Sequence, residues 1–214
     1  MNSRSALYPA SLDLAHALVV VLGAGQVAAQ KLKGLPDGVG QVRIVAPQAS
    51  ADVKDWLKKH PQTEYLARNF EPSDLRACRL LFCCTPDKEL NAFAARQAKA
   101  LGAWVCQAAE QDQGDLRVPA VLSVAGLHMT LSTGGASPAL AKALRAYFEK
   151  MLKGSDLAFV LSELKKMRPA LKTDPKLKAA LVKRIASPAA LTLILGPRNK
   201  TRHAKLQKML RTKP

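Results

Sequence analysis

The chain has 214 residues, enough for one domain of ordinary size or one with a small appendage, and its 48% hydrophobic content supports a true core. No apolar run approaches the roughly 20 residues that a membrane-spanning helix requires, which excludes such a helix. The net charge of +17 is unevenly placed: residues 151–214 hold 16 Lys and Arg against three acids, or +13, and residues 1–150 carry +4.

The first predicted strand is the apolar run Ala17-Leu-Val-Val-Val-Leu22, which opens directly into Gly23-Ala-Gly25-Gln-Val-Ala28. A buried strand that turns sharply into a helix through two glycines is the phosphate-binding turn of a dinucleotide fold. The first Gly permits the turn, the second lets pyrophosphate approach the main chain, and the helix N-terminus supplies unpaired N–H donors. Ala28 stands where a small residue allows close helix–strand packing. The preceding Arg4 and the apolar stretch from Leu14 imitate a signal peptide. Asp13 and His16 interrupt that stretch, and cleavage would destroy the glycine turn, so it is read as part of the fold.

A helix is predicted over 26–35, ended by Gly34 and Pro36. A strand follows over 41–46, then a helix over 50–60 with Ser50 as N-cap, a short strand over 64–68 and a short helix over 72–77. A strand over 80–84, an Ala-rich helix over 87–101 and a strand over 104–108 complete an alternating pattern. Strands alternating with helices imply a Rossmann-like, doubly wound parallel α/β sheet. Strand-like runs over 116–123 and 127–132, joined at Val124-Ala-Gly126, then read as a hairpin. A second glycine turn, Thr133-Gly-Gly-Ala136, leads into a helix to about residue 152, with Ser137 as N-cap and Pro138 at its first position. This turn is a second candidate anion site or a plain tight connection. Beyond Gly154, helices are expected over 156–167, 175–185 and 200–210, separated by prolines. The organisation expected is therefore a dinucleotide-binding domain over 1–113, a small α+β segment over 114–152 and a basic helical domain over 153–214.

Cys78, Cys83, Cys84 and Cys106 form no C-x-x-C pair, and two of them are adjacent inside a strand. They suggest neither a zinc site nor a disulfide framework, and fit buried reduced thiols in a cytoplasmic protein. The basic C-terminal segment suits a solvated helix face, an acidic small molecule, an acidic protein surface or a nucleic acid.

Taken in order, Leu12-Asp-Leu14, Gly23-Ala-Gly25-Gln-Val-Ala28 with Lys31, Val45-Ala-Pro47, Cys84-Thr-Pro-Asp87 with Asn91, and Ser132-Thr-Gly-Gly-Ala-Ser-Pro138 resemble the motifs of the precorrin-2 dehydrogenase family, the NAD-binding part of siroheme synthases. The resemblance covers about residues 8–152. It implies NAD as cofactor, with Gly23, Gly25, Gln26 and Val27 at the pyrophosphate, Ala46, Pro47 and Gln48 near the adenosine, and Thr85 with Asn91 at the cofactor's edge. It implies oxidation of the tetrapyrrole precorrin-2 to sirohydrochlorin, with iron insertion in some members, and a homodimer whose segment 114–152 interlocks with its twin. Thr133, Gly134 and Gly135 are then the substrate-binding turn. Thr133 has a turn-stabilising hydroxyl as its other reading. An octacarboxylate substrate suits a basic protein. A nucleic-acid partner ranks last, because the charge follows a helical domain that family members possess. No membrane partner is implied.

Two departures from ordinary sites stand out. The second strand ends Ala46-Pro47-Gln48, without the acid that usually reads the ribose 2′-hydroxyl. The family also carries an Asp, the candidate acid/base, where this chain reads Cys106-Gln-Ala-Ala-Glu110. An ungapped count places Ala109 opposite that Asp, and one deleted loop residue places Glu110 there. Glu110 is the preferred proton acceptor. The alternative class is a degenerate homologue that binds nucleotide or tetrapyrrole as a carrier or scaffold. His128 is read as a strand residue with a structural role, and no metal ligands are assigned.

Overall fold

The computed structural model describes residues 8–108 and 114–211. The chain divides into two compact units, Met1–Val118 and Pro119–Pro214.

In the N-terminal unit, strands β1 (Leu18–Leu22), β2 (Gln41–Val45), β3 (Glu64–Leu66), β4 (Cys78–Cys83) and β5 (Trp104–Gln107) form one sheet in the order β3-β2-β1-β4-β5, parallel throughout. All five residues of β1 are buried, as expected of a central strand covered on both faces. Helices α1 (Gln26–Lys33) and α2 (Ala51–Lys59) pack one face around Val19, Val21, Ile44 and Phe82. Helix α3 (Lys88–Ala100) lays Ala94, Ala95 and Ala98 on the other face, against Val20, Leu81 and Val105. The small side chains let that helix come close to the sheet. The short 3₁₀ helix Pro72–Leu75 replaces the longer helix predicted over 72–77. It stops because Arg76 turns extended and Ala77 takes a left-handed φ of 62°.

Chain reversal falls between β1 and β4. One successor of β1, strand β2, lies on one side of it and the later β4 lies on the other. Such a switch point opens a crevice at the carboxyl ends of the strands. The caps are local: Ser50 Oγ accepts from Val53 N at 3.4 Å and Asp87 Oδ1 from Leu90 N at 2.9 Å.

In the C-terminal unit, β6 (Ala120–Val124) and β7 (Leu127–Leu131) form the predicted hairpin. Its turn residues Ala125 and Gly126 both have positive φ, 53° and 88°, as a tight two-residue connection demands. Helices α4 (Pro138–Lys153), α5 (Leu157–Thr173), α6 (Pro175–Ile185), α7 (Pro188–Leu195) and α8 (Lys200–Arg211) complete it. Their inner stripes join the hairpin's inner face in one core of Leu122, Leu152, Val160, Leu181, Ile194 and Leu206.

Two helical expectations change. The helix predicted to end at residue 167 runs on to Thr173 with Pro169 inside it; proline costs one ladder bond there without ending the helix. The apolar run Pro188–Leu195 is a further helix, capped by Ser187 Oγ on Ala190 N at 3.2 Å.

One buried node ties α5, α7 and α8 together. Asp156, with its side chain fully buried, accepts from His203 Nδ1 at 2.8 Å and pairs with Arg198 Nε at 3.1 Å. Its N–H donates to Ile194 O, and Phe159 packs on the His203 ring.

Candidate functional site

The crevice at the switch point is a cleft of about 430 Å³. It brings together Gly23, Gly25, Ala46, Pro47, Gln48 and Thr85 from three separate stretches of sequence. A second hollow, of about 400 Å³, lies at the start of β2 beside the stacked rings of Trp56 and His60. It is remote from the strand ends where an open α/β sheet places its ligands, which leaves the first as the candidate site.

The two glycines of the turn are required for different reasons. Gly23 has φ +97°, and a Cβ there would lie 2.9 Å from the carbonyl carbon and oxygen of Cys84. The protein itself forbids a side chain at that position. Its N–H donates to Val45 O at 2.9 Å, which pins the turn to β2. Gly25 has an ordinary negative φ of −86°, and a Cβ there would meet nothing within 4 Å. The fold does not need that glycine. What a side chain there would occupy is the open space over the turn.

Gly25 is also the N-cap of α1, and no side chain caps that helix. Ser50, Asp87, Ser137, Asp174 and Ser187 cap theirs. No acid occupies the first turn of α1 either. The helix therefore presents its first main-chain N–H groups and its positive dipole end to the cleft, an arrangement suited to a pyrophosphate. Gln26 and Val27 begin that helix; neither lines the cleft, and Val27 is exposed. The backbone continues the construction: Ser50 N donates to Ala24 O at 3.0 Å, joining the turn to the cap of α2.

Beside the turn, Thr85 is held by Asn91. Thr85 Oγ1 lies 2.8 Å from Asn91 Oδ1 and 3.0 Å from Asp87 O, and Asn91 Nδ2 donates to Thr85 O at 2.9 Å. Asp87, rather than Thr85, caps α3. Cys84 also lines the cleft, but burial pushes its thiol up to about 12, so at neutral pH it is a protonated, apolar wall. Cys83, behind it, is likewise pushed up to about 12 by burial. The four cysteines are free and buried.

Sequence reasoning missed Arg68, Asn69 and Phe70, which line the cleft from the segment after β3. No glycine or spacing signal marks them. The available clue was that β3, pairing in parallel with β2, must deliver its carboxyl end to the same crevice.

The second glycine turn lies in the C-terminal unit. Gly134 and Gly135 have φ +62° and +90°, Thr133 Oγ1 accepts from Ser137 N at 3.0 Å, and Thr133 O accepts from Ala136 N at 3.0 Å. Its hydroxyl therefore holds the turn, and its own proton is still able to donate to a ligand. Ser137 Oγ caps α4 through Leu140 N at 3.1 Å. His128 sits exposed on the outer face of β7, opposite Ser123. Glu110 and Ala109 lie outside the described residues. Among the described residues, no group of three or more His, Cys, Asp or Glu is placed to hold a metal ion. None of their helices is long and apolar enough to cross a membrane.

A family model described as putative NAD(P)-binding matches residues 10–120, the sheet and its glycine turn. The siroheme synthase of Pseudomonas paraeruginosa is 32% identical over 138 residues, which cover 64% of this chain and 30% of that protein. The siroheme synthase of Gluconacetobacter diazotrophicus is 31% identical over 149 residues, covering 68% and 32%. The chain thus spans about a third of the length of these relatives. A solved structure of SirC, precorrin-2 dehydrogenase, superposes with a TM-score of 0.71 over 96% of this chain and 100% of that one, at 23% identity, and shows the same fold. The family model spans more than half of the chain, so the chain belongs to the NAD(P)-binding family that it describes, and the siroheme synthase relatives agree with the resemblance drawn from the motifs.

Proposed function

We propose that the chain is an NAD-dependent dehydrogenase that oxidises precorrin-2 to sirohydrochlorin, a step of siroheme biosynthesis. The observation that carries this reading is Gly25, a glycine that the fold leaves free and that clears the space above an uncapped helix N-terminus. The siroheme synthase relatives, and the stretch Ser132-Thr-Gly-Gly-Ala-Ser-Pro138 that resembles the family motif, support a tetrapyrrole as the substrate.

NAD, when bound, supplies the acceptor for a hydride. The main-chain donors at Gly25, Gln26 and Val27 would hold its pyrophosphate beside the turn at Gly23. Ala46, Pro47 and Gln48 would hold its adenosine, and Thr85, fixed by Asn91, would contact its edge in the same cleft. The substrate gives up a hydride, which takes both electrons, and a proton. We assign that proton to the Glu110 carboxylate. The Thr133 hydroxyl and the Gly134 and Gly135 main chain hold a substrate carboxylate.

Anaerobic incubation of the protein with precorrin-2 and NAD tests the reading. Sirohydrochlorin absorbance should rise in step with NADH. Binding of NAD without sirohydrochlorin would instead favour the carrier or scaffold reading. Glu110→Gln should lower kcat while NAD affinity stays unchanged; full activity would remove Glu110 from the mechanism. Adding ferrous iron to sirohydrochlorin, with and without protein, decides whether the chain also inserts iron.

We also propose a homodimer built on the C-terminal unit. Val121 on the outer face of β6 and Leu140 and Tyr147 on α4 are exposed apolar side chains in that unit, and the hairpin is a two-stranded sheet. Sedimentation equilibrium should return twice the chain mass. Buried free thiols suit a reducing, cytoplasmic setting.

A further inference from the structure

We propose that Arg68 binds the adenosine ribose, in place of the carboxylate of an ordinary dinucleotide site, and that the cleft consequently admits the 2′-phosphorylated dinucleotide alongside NAD. The inference rests on the NAD(P)-binding reading above.

Among the described residues lining the cleft, Arg68 is the one charged side chain, and none is an acid. β2 runs out into Ala46-Pro47-Gln48, so no carboxylate stands where one would accept from the ribose 2′-hydroxyl and repel a phosphate. Arg68 arrives from the neighbouring strand, two residues beyond Leu66, which pairs with Val45 at the end of β2.

Its guanidinium is fixed before any ligand arrives. Nη2 donates to Asp74 Oδ1 at 2.6 Å, and Nη1 donates to Asp74 Oδ2 at 3.0 Å and to Asn69 O at 2.8 Å. The anchor is itself held, because Asp74 is buried and its Oδ2 also accepts Glu71 N at 2.8 Å. These three bonds leave two of the five guanidinium N–H donors for a ligand, and the side chain is 40% exposed. A donor in this place hydrogen-bonds either a ribose hydroxyl oxygen or a 2′-phosphate oxygen. A carboxylate would accept from the first and repel the second. Asp74, with Glu71 at 3.8 Å, offsets the Arg68 charge. The result is weak discrimination between the two dinucleotides rather than a switch to the phosphorylated one.

Titration calorimetry of the full chain with NAD and with NADP tests this, using wild type, Arg68→Ala and Arg68→Lys, each checked by circular dichroism. Wild type should bind both dinucleotides within about tenfold of each other, about 1.4 kcal/mol. Arg68→Ala should weaken NADP at least tenfold and NAD severalfold, and Arg68→Lys should keep more NADP affinity than Arg68→Ala. NADP bound more than a hundredfold more weakly than NAD by wild type overturns the proposal, as does an Arg68→Ala protein that binds both like wild type. Should Arg68→Ala fail to fold, the wild-type ratio and Arg68→Lys decide. Wild type that binds neither dinucleotide defeats the underlying NAD(P) reading itself.

Discussion

The two compact units treat charge in opposite ways. Met1–Val118 holds 14 Lys and Arg against 12 Asp and Glu, close to balance, whereas Pro119–Pro214 holds 19 against four and so carries +15 of the chain's +17. All four acids of the basic unit are engaged. Glu149 pairs with Arg145 and Lys153, Asp156 with His203 and Arg198, and Glu163 with Lys166, while Asp174 caps α6. The remaining cations stand mostly on solvated helix faces. The N-terminal unit invests instead in main-chain geometry: an uncapped helix, a forced glycine and a clear notch. Its cleft combines those backbone groups with one charged side chain, Arg68, so salt should matter less to its stability.

The contrast can be tested unit by unit, because Trp56 and Trp104 both lie in the N-terminal unit. Tryptophan fluorescence therefore follows that unit, and ellipticity at helical wavelengths weighs toward the other. The largest divergence should come with alkali. Burial pushes the Cys78 thiol up to about 11 and those of Cys83 and Cys84 up to about 12. Their stabilising contribution is complete below the unfolded thiol value of about 8.5 and is lost as pH climbs toward those folded values. Urea midpoints by fluorescence should fall steeply between pH 8 and pH 11. The C-terminal unit, which has no cysteine, should not share that loss.

Next in size is His203→Ala, which leaves a buried carboxylate with a single exposed arginine and should cost the C-terminal unit about 3 kcal/mol. Ellipticity should report it at a lower denaturant concentration, while the fluorescence transition stays in place. Gly23→Ala should then cost the N-terminal unit about 2 kcal/mol, from a strained φ and a Cβ against the Cys84 carbonyl. Gly25→Val is its counterpart. Stability should hold within about 1 kcal/mol, while calorimetry shows NAD affinity falling at least about tenfold. Equal destabilisation by the two substitutions would erase the distinction drawn between the glycines. The smallest effect is that of salt: moving from 0.01 to 0.15 M should stabilise the basic unit by about 1 kcal/mol or less by screening its self-repulsion. The fluorescence transition should barely move.

Much of this arrangement is legible in the residues because local signals and packing agree. Leu18–Leu22 reads as a central strand and is one, since a parallel strand buried on both faces needs an unbroken apolar run. Ser137-Pro138 announces α4 through chemistry confined to its first turn. Ser187-Pro188 carries the same signal, yet α7 went unread, because eight largely apolar residues fit a short strand as well as a helix. Pro169 reads as a stop and is not one. Residues on both sides of it pack into the C-terminal core, and that packing outweighs one lost backbone bond. At the site, the glycine turn was visible because a turn is local. Arg68 was not, since its place in the cleft depends on which strand lies beside β2, and sheet order is not a property of any short stretch.

The Asp156 node also has a temporal consequence. His203 reaches back across 47 residues to that carboxylate. A chain emerging from the ribosome offers Asp156 long before Arg198 and His203, the residues that bond its carboxylate, so this node of the helical unit forms late. Closure waits until α8 has been made. The sheet, by contrast, has all its strands in hand by Gln107. The cleft at the strand ends can therefore form while the rest of the protein is still being synthesised.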